Sequence, residues 1–456
     1  MRIALIVPAI EMSKAIYSEY PLGVGFIGTA LECAGHTVRI YDQGAEQLSN
    51  AELVDTISSS EPDVVAFSMV TSTYMNGVNI LKMLRLLMPN MIFIAGGVHP
   101  SLFPELTLKD GFDYVIMGEG ECSTVELLKS VKQNSMNIET PGVAYFENGT
   151  YKCNLPCIPI DAFSVPLVNR KLYNLDLYSH HTVISARGCP YKCKFCCDLM
   201  RCFGCNKVRK TPLSRTLEEL SILENEFNAQ KIFFADDVFA ASPSGIKKFC
   251  REYHKNNFSF QWVAQIRADI LTLEIATLMR EANCTRVYIG AESGSDTILQ
   301  NAGKNLSKAQ IAAGINNAKK ADLTVKTGWV YGLPGTLNEQ YKSIDLMLQT
   351  RPHQISIHQL IPFPGTEYYS FPKRYGIQIK RPLDFRSFAY GGLQDNFSFD
   401  YLTGKELEML FQKTAIALEK EGYIHSDKAT NADKYIYTTP FSKQSINVFK
   451  APKGEI

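Results

Sequence analysis

Ser185-Ala186-Arg187-Gly188-Cys189-Pro190-Tyr191-Lys192-Cys193-Lys194-Phe195-Cys196-Cys197 is the segment on which the reading of this chain turns. It follows a short run of strand character, Thr182–Ser185, so its cysteines stand on a loop at the end of a strand. Thiolates hold iron–sulfur clusters, and three close cysteines can ligate three irons of a cubane and leave the fourth open. Packing as small hydrophobes is a poor account of three cysteines with Pro, Lys and Phe between them. A zinc site is the stronger rival; it wants a fourth ligand, which Cys197, Cys202 or Cys205 could supply. Cys197 also offers a second trio with Cys189 and Cys193. Cys202-Phe203-Gly204-Cys205 could hold a second metal together with Cys197, Cys153 or Cys157.

Downstream, strand-like runs recur at Lys231–Ala235, Trp262–Ile266, Arg286–Gly290, Thr324–Tyr331 and Gln354–Leu360, with helical patterns between them. Six βα units predict a partial (β/α)6 barrel of TIM type over residues 181–370, with its chemistry at the C-terminal strand ends. Upstream, residues 1–140 alternate strands (Arg2–Val7, His36–Tyr41, Val64–Ser68, Met91–Ala95, Tyr114–Met117) with helices (Leu22–Ala34, Asn76–Met88). That pattern predicts a doubly wound, Rossmann-like parallel sheet. Residues 141–180, rich in Pro and Asn, read as a linker with a hairpin at Asn148-Gly149. Residues 371–456 are aromatic-rich and irregular, a C-terminal cap region. The fold class is α/β.

The 456 residues are 45% hydrophobic and 20% charged, with a net charge of +1. That balance lacks the basic excess of a nucleic-acid footprint. No stretch approaches the ~18 apolar residues of a membrane span. The apolar N-terminal run stops at Pro8 and reads as a buried strand, not a signal peptide. A cytoplasmic location follows, where the twelve cysteines stay reduced.

Arg187-Gly188-Cys189 through Cys196 resembles the CxxxCxxC loop of the radical S-adenosylmethionine superfamily, with Phe195 as the aromatic before the last ligand. The similarity continues through Phe234-Ala235-Asp236-Asp237-Val238-Phe239, Gln265-Ile266-Arg267-Ala268-Asp269, Gly290-Ala291-Glu292-Ser293-Gly294, Gly332-Leu333-Pro334-Gly335 and Pro362-Phe363-Pro364-Gly365-Thr366. It covers roughly residues 182–370. The resemblance implies a [4Fe–4S] cluster on Cys189, Cys193 and Cys196, and S-adenosylmethionine bound by Phe195, Asp236, Asp237, Arg267, Glu292, Ser293, Gly332 and Gly335. In that scheme Asp236 or Asp237 accepts from the ammonium, Arg267 pairs with the carboxylate and Glu292 accepts the ribose hydroxyls. Gly332 and Gly335 let backbone approach the adenine. Read singly, the two aspartates could be a helix cap, Glu292 and Arg267 an ion pair, and the Gly-Leu-Pro-Gly run a turn.

Gly23-Val24-Gly25-Phe26-Ile27-Gly28 matches a dinucleotide fingerprint, but it lies too far beyond Val7 for the tight turn that motif needs. Tyr20-Pro21-Leu22-Gly23, Gly35 through Asp42, Pro62 through Ser68, Ala95 through Pro100 and Asp113 through Glu121 instead resemble a cobalamin-binding domain, over roughly residues 1–130. The resemblance implies cobalamin contacts from Leu22, Gly23, Ser68, Thr71, Gly96, Gly97, Val98, His99, Gly118 and Glu119. No Asp-x-His-x-x-Gly motif occurs, so cobalt is expected to lack a histidine from the protein. The family's chemistry leads to a cobalamin-dependent C-methyltransferase that uses the 5′-deoxyadenosyl radical on an unactivated carbon of a small-molecule or natural-product substrate. An external donor such as flavodoxin or ferredoxin would feed it electrons. A non-methylating radical enzyme (dehydratase, epimerase or ring-forming oxidase) with passive or absent cobalamin is the first alternative. A zinc-stapled, non-catalytic binding module is the second.

Overall fold

The computed structural model describes residues 1–10, 19–133, 138–155, 159–161, 165–240, 242–389, 395–425 and 447–450; Cys157 lies outside them. The chain divides into two compact units. One comprises Met1–Ser179 with Asp198–Asn206 and Asp384–Ala389; the other comprises His180–Cys197, Lys207–Leu383 and Tyr390–Ile456.

The first unit runs β1 (Arg2–Val7), α1 (Leu22–Cys33), β2 (Thr37–Asp42), α2 (Asn50–Ser59), β3 (Val64–Ser68), α3 (Thr71–Leu87), β4 (Ile92–Gly96), α4 (Val98–Leu102), α5 (Pro104–Lys109), β5 (Tyr114–Ile116), α6 (Glu121–Lys132), β6 (Val143–Glu147) and β7 (Thr150–Cys153), with α7 (Leu199–Cys202) added from later in the chain. Its sheet has the order β2-β1-β3-β4-β5-β6-β7. β2 to β5 pair in parallel, as at Ser68↔Gly96. Ile3 to Ile6 are buried without alternation, the mark of a parallel strand covered on both faces.

Two expectations shift. The stretch read as linker begins with a hairpin, and its antiparallel strands β6 and β7 complete the first sheet. Asn148 and Gly149 both take positive φ, 48° and 77°, as a two-residue type I′ turn requires. Helix α3 starts at Thr71, a turn earlier than its apolar periodicity suggests. Thr73 Oγ1 accepts the Val70 N–H at 3.2 Å, so a polar stretch that reads as loop is a capped first turn.

The second unit carries β8 (His181–Val183), β9 (Ala186–Arg187), β10 (Arg209–Lys210), α8 (Leu213–Phe227), β11 (Lys231–Phe234), α9 (Pro243–Lys255), β12 (Gln261–Gln265), α10 (Leu273–Glu281), β13 (Cys284–Glu292), α11 (Asp296–Asn301), α12 (Lys308–Lys320), β14 (Thr324–Tyr331), α13 (Leu337–Thr350), β15 (Gln354–Gln359) and α14 (Glu367–Ser370). Strands β8, β11, β12, β13, β14 and β15 are parallel neighbours in that order, the succession of a partial barrel. Beyond them the unassigned C-terminal region forms a hairpin of β16 (Ile377–Ile379) and β17 (Phe397–Phe399), helix α15 (Gly404–Lys420), and the strands β18 (Ile424–His425) and β19 (Asn447–Lys450), with β19 antiparallel on β15. Phe234, Phe239, Phe249 and Trp262 lock β11 and β12 to α9, with ring centroids 4.7–5.6 Å apart. Along β13, Val287, Ile289 and Ala291 are buried, which turns Tyr288, Gly290 and Glu292 to the other face. Among the described residues, no helix is long and apolar enough to cross a membrane.

Candidate active site

The cysteine loop is held from several directions. Asp236, just past β11 and 1% exposed, accepts the Ser185 N–H at 2.8 Å, the Ser185 hydroxyl at 2.9 Å and the Ala186 N–H. Burial pushes its carboxyl up to about 7, against the pull of those hydrogen bonds. Asp236 therefore anchors the start of the loop and faces away from the role of ammonium acceptor. Asp237 is exposed, and its charge is felt at Cys196.

Further along, the Lys194 N–H donates to Ala302 O at 3.0 Å, and the Lys194 carbonyl accepts the Tyr368 N–H at 3.3 Å. Gly303, at φ 68°, lets Lys192 O approach so closely that a Cβ there would sit 3.0 Å from it. The Cys196 N–H closes a turn onto Cys193 O at 3.1 Å. Burial raises the Cys193 thiol while Lys304 and Arg267 pull it down. Burial, reinforced by Cys193, Asp237 and Cys189, pushes the Cys196 thiol up to about 12 although one side of Cys196 is open to solvent. Cys189, Cys193 and Cys196 thus stand within electrostatic reach of one another, with two cations facing Cys193. Among the described residues no three His, Cys, Asp or Glu side chains converge on a single point. A cubane asks each cysteine for a different iron, so its ligands need not converge in that way.

Arg267 departs from its expected role. It is 5% exposed, its fork grips Asp269 at 3.1 and 3.2 Å, and it also donates to Lys304 O at 3.1 Å and Asn305 O at 3.3 Å. The Tyr191 ring of the cysteine loop stacks 3.5 Å from the guanidinium carbon. A group so engaged has no fork left for a carboxylate, and it orients the loop instead. Glu292 ends β13 at φ 62°, where the register with β14 slips between Gly290 and Glu292. Its carboxylate meets Lys304 Nζ at 2.9 Å, both side chains being largely buried. Burial works to lower the Lys304 pKa, but Glu292 and Cys193 outweigh it and leave it raised. No sequence motif marks Lys304, a lone lysine in the loop between α11 and α12.

The remaining positions are taken up by packing. Ser293 Oγ accepts the Ser295 N–H at 3.1 Å and holds the turn into α11. A Cβ at Gly332 would meet the Phe399 ring at 2.9 Å, and one at Gly335 would meet Ile298 at 2.5 Å. The Cβ side of each glycine is thus filled by a protein side chain. Phe195 is half-buried.

In the first unit, Gly23, Ser68, Gly96, Val98, Gly118 and Glu119 reach solvent at C-terminal strand ends or on α1, the edge where parallel sheets bind ligands. A Cβ at Gly23 would meet nothing within 4 Å. Gly97 differs: at φ 95° it lies against Met69, whose O and N would be 2.6 and 2.8 Å from a Cβ. Leu22 and Thr71 are buried, and Glu119 accepts the Ile160 N–H at 2.7 Å. His99 is wholly buried, its ring 3.9 Å from that of Tyr74 and close to Phe103 and Phe385, with Nδ1 3.3 Å from Thr71 Oγ1. Burial drops its pKa to about 3. It is a neutral core histidine and reaches no ligand surface. Sequence reasoning missed the amide network beside that edge, in which Gln43, Asn50 and Asn76 bond one another and Ala9.

Residues 183–347 match the Radical SAM superfamily model, and residues 11–128 match the B12 binding domain model. The chain carries a Radical SAM superfamily domain and a B12 binding domain. As a radical S-adenosylmethionine enzyme with a B12-binding domain it uses a [4Fe–4S] cluster, S-adenosylmethionine and cobalamin, which removes the zinc-stapled module as a reading. It is 26% identical over 430 residues to an uncharacterized methyltransferase of Pyrococcus horikoshii, covering 91% of this chain and 92% of that one. It is 24% identical over 362 residues to an anaerobic magnesium-protoporphyrin IX monomethyl ester cyclase of Synechocystis, covering 76% and 72%. Its fold is that of the cobalamin-dependent S-adenosylmethionine radical enzyme OxsB with aqua-cobalamin and S-adenosylmethionine bound, at TM-score 0.66 and 19% identity; the match covers 96% of this chain and 64% of OxsB.

Proposed function

We propose that this chain is a cobalamin-dependent C-methyltransferase acting on an unactivated carbon of a small-molecule substrate, with an external one-electron donor such as flavodoxin or ferredoxin. The observation that carries the reading is the presence, on one chain, of a B12-type sheet edge that exposes no histidine among the described residues, His99 being buried, and a cysteine loop flanked by Lys304, Asp237 and Glu292. In this reading residues 1–140 take cobalamin through Gly23, Ser68, Gly96, Val98, Gly118 and Glu119, and residues 181–370 take S-adenosylmethionine. When bound, the cluster supplies the electron that cleaves S-adenosylmethionine to a 5′-deoxyadenosyl radical, and cobalamin supplies a transferable methyl group.

The chain's own residues then divide the binding. Cys189, Cys193 and Cys196 hold the cluster, the charges of Cys189 and Cys193 both being felt at the Cys196 thiol. Glu292 accepts from the ribose. Lys304, the buried cation between Glu292 and Cys193, faces the methionine carboxylate in place of Arg267. Asp237 accepts from the ammonium. The similarity to a methyltransferase over most of both chains supports methyl transfer. The similarity to a ring-forming cyclase keeps one second reading, an oxidative, non-methylating radical enzyme.

Anaerobic reconstitution with iron, sulfide and hydroxocobalamin, followed by S-adenosylmethionine labelled in its methyl group and a metabolite extract, tests this. Methyl transfer predicts both 5′-deoxyadenosine and S-adenosylhomocysteine, plus a labelled product. 5′-Deoxyadenosine alone, independent of cobalamin, would establish the second reading instead.

A further inference from the structure

We propose that the Tyr368 hydroxyl donates a hydrogen bond to a cluster sulfur at Cys193 and thereby sets how readily the cluster is reduced. The inference rests on the cluster reading above. Tyr368 lies on α14, directly after the Pro362-Phe363-Pro364-Gly365-Thr366 strand end, whose chemical role the sequence left open. Thr366 caps that turn by accepting the Tyr369 N–H at 3.1 Å. The Tyr368 N–H reaches the carbonyl of Lys194, the residue after Cys193, at 3.3 Å. Its ring is 0% exposed and packs 4.9 Å from the Tyr375 ring, over which Lys194 Nζ also sits at 4.9 Å. The side chain is thus fixed in place beside the cysteine loop, and its hydroxyl is buried without a hydrogen-bond partner among the described residues.

A buried hydroxyl is ordinarily satisfied, so an orphan calls for a specific explanation. No cysteine sulfur bonds it as the loop stands, yet Cys193 is near enough for its charge to be felt at the phenol, so a sulfur of a cluster held there is the acceptor proposed. Burial first, then Tyr375, Glu367 and the Cys193 thiolate, hold the phenol well above its ordinary pKa, so it remains protonated and can donate. Hydrogen bonds to sulfur stabilise the more negative, reduced cluster and raise its potential.

The test is a redox titration of the reconstituted full-length chain, monitored by electron paramagnetic resonance, comparing wild type with Tyr368→Phe and with Tyr368→Met as a second apolar replacement. Iron content and S-adenosylmethionine affinity should stay within twofold of wild type. The ratio of reduced to oxidised cluster at a fixed potential should fall about tenfold, which is 59 mV for one electron. An unchanged midpoint in whichever variant folds overturns the proposal. So does weakened S-adenosylmethionine binding at constant midpoint, which would give the hydroxyl to the nucleoside. Failure of the wild type itself to take up iron would bring down the cluster reading and this proposal with it, a result distinct from either.

Discussion

Glu292→Gln or Lys304→Met leaves one charge of a buried pair without its partner, and the two single changes should each cost more than both together. The carboxylate and ammonium stand 2.9 Å apart with side chains 12% and 11% exposed. At an effective dielectric near 20 their attraction is about 6 kcal/mol before desolvation is subtracted. Removing one partner of such a pair costs about 3–5 kcal/mol, whereas replacing both with neutral groups is often close to neutral. The assay is urea unfolding of the apo chain followed by tryptophan fluorescence. Both tryptophans, Trp262 and Trp329, are buried in the barrel unit, so the signal reports that unit. The double variant should recover most of the single-variant loss. If instead the double cost equals the sum of the singles within about 0.5 kcal/mol, the two charges are uncoupled and the reasoning is refuted. After reconstitution, Lys304→Met should also weaken S-adenosylmethionine by one charge-assisted hydrogen bond, about 1.5–3 kcal/mol, or roughly ten- to a hundredfold in Kd.

Alanine at Cys189, Cys193 or Cys196 should abolish iron binding and cleavage, whereas Cys197→Ala should keep about four irons; the reverse for Cys196 and Cys197 would reassign the third ligand. Gly97→Ala should lower the unfolding midpoint of the first unit, since its Cβ would press on Met69 backbone at a strained φ, while Gly23→Trp should leave stability alone and reduce hydroxocobalamin retention on gel filtration. The Asp236 carboxyl titrates near 7 in the fold against 3.8 unfolded, so the unfolded chain loses its proton first as pH rises. Stability should therefore fall from about pH 4 to about pH 7, by about 4 kcal/mol in all, and Asp236→Asn should flatten that slope in urea titrations. His99→Phe should leave the Co(II) paramagnetic resonance spectrum of the bound cobalamin unchanged and free of nitrogen splitting.

The strands were legible because short apolar runs end at turn residues, as β4 does at Gly96-Gly97. The loop chemistry was legible because three cysteines at that spacing have few other uses. What each charged residue touches was not legible. Arg267 and Asp237 look equally available in sequence. Only the fold brings Tyr191 under one and leaves the other in solvent. Lys304 has no pattern of its own, since a single lysine after Gly303 is what any helix connection could carry. Gly332 and Gly335 are required by Phe399 and Ile298, neither of them a sequence neighbour. The Asn148-Gly149 turn could be read locally, but which sheet its strands would join could not.

Lys194 is tied through its N–H to Ala302 and through its carbonyl to Tyr368, while Asp236 clamps the start of the same loop, and all of these bonds are within the polypeptide. The ordering entropy of the ligand loop is therefore met when the barrel folds, not when metal arrives. A cluster destroyed by oxygen would leave behind a formed receptacle instead of a collapsed one. Repair then becomes a matter of iron and sulfide delivery to standing protein, and the same molecule can lose and regain its cofactor without passing through the unfolded state.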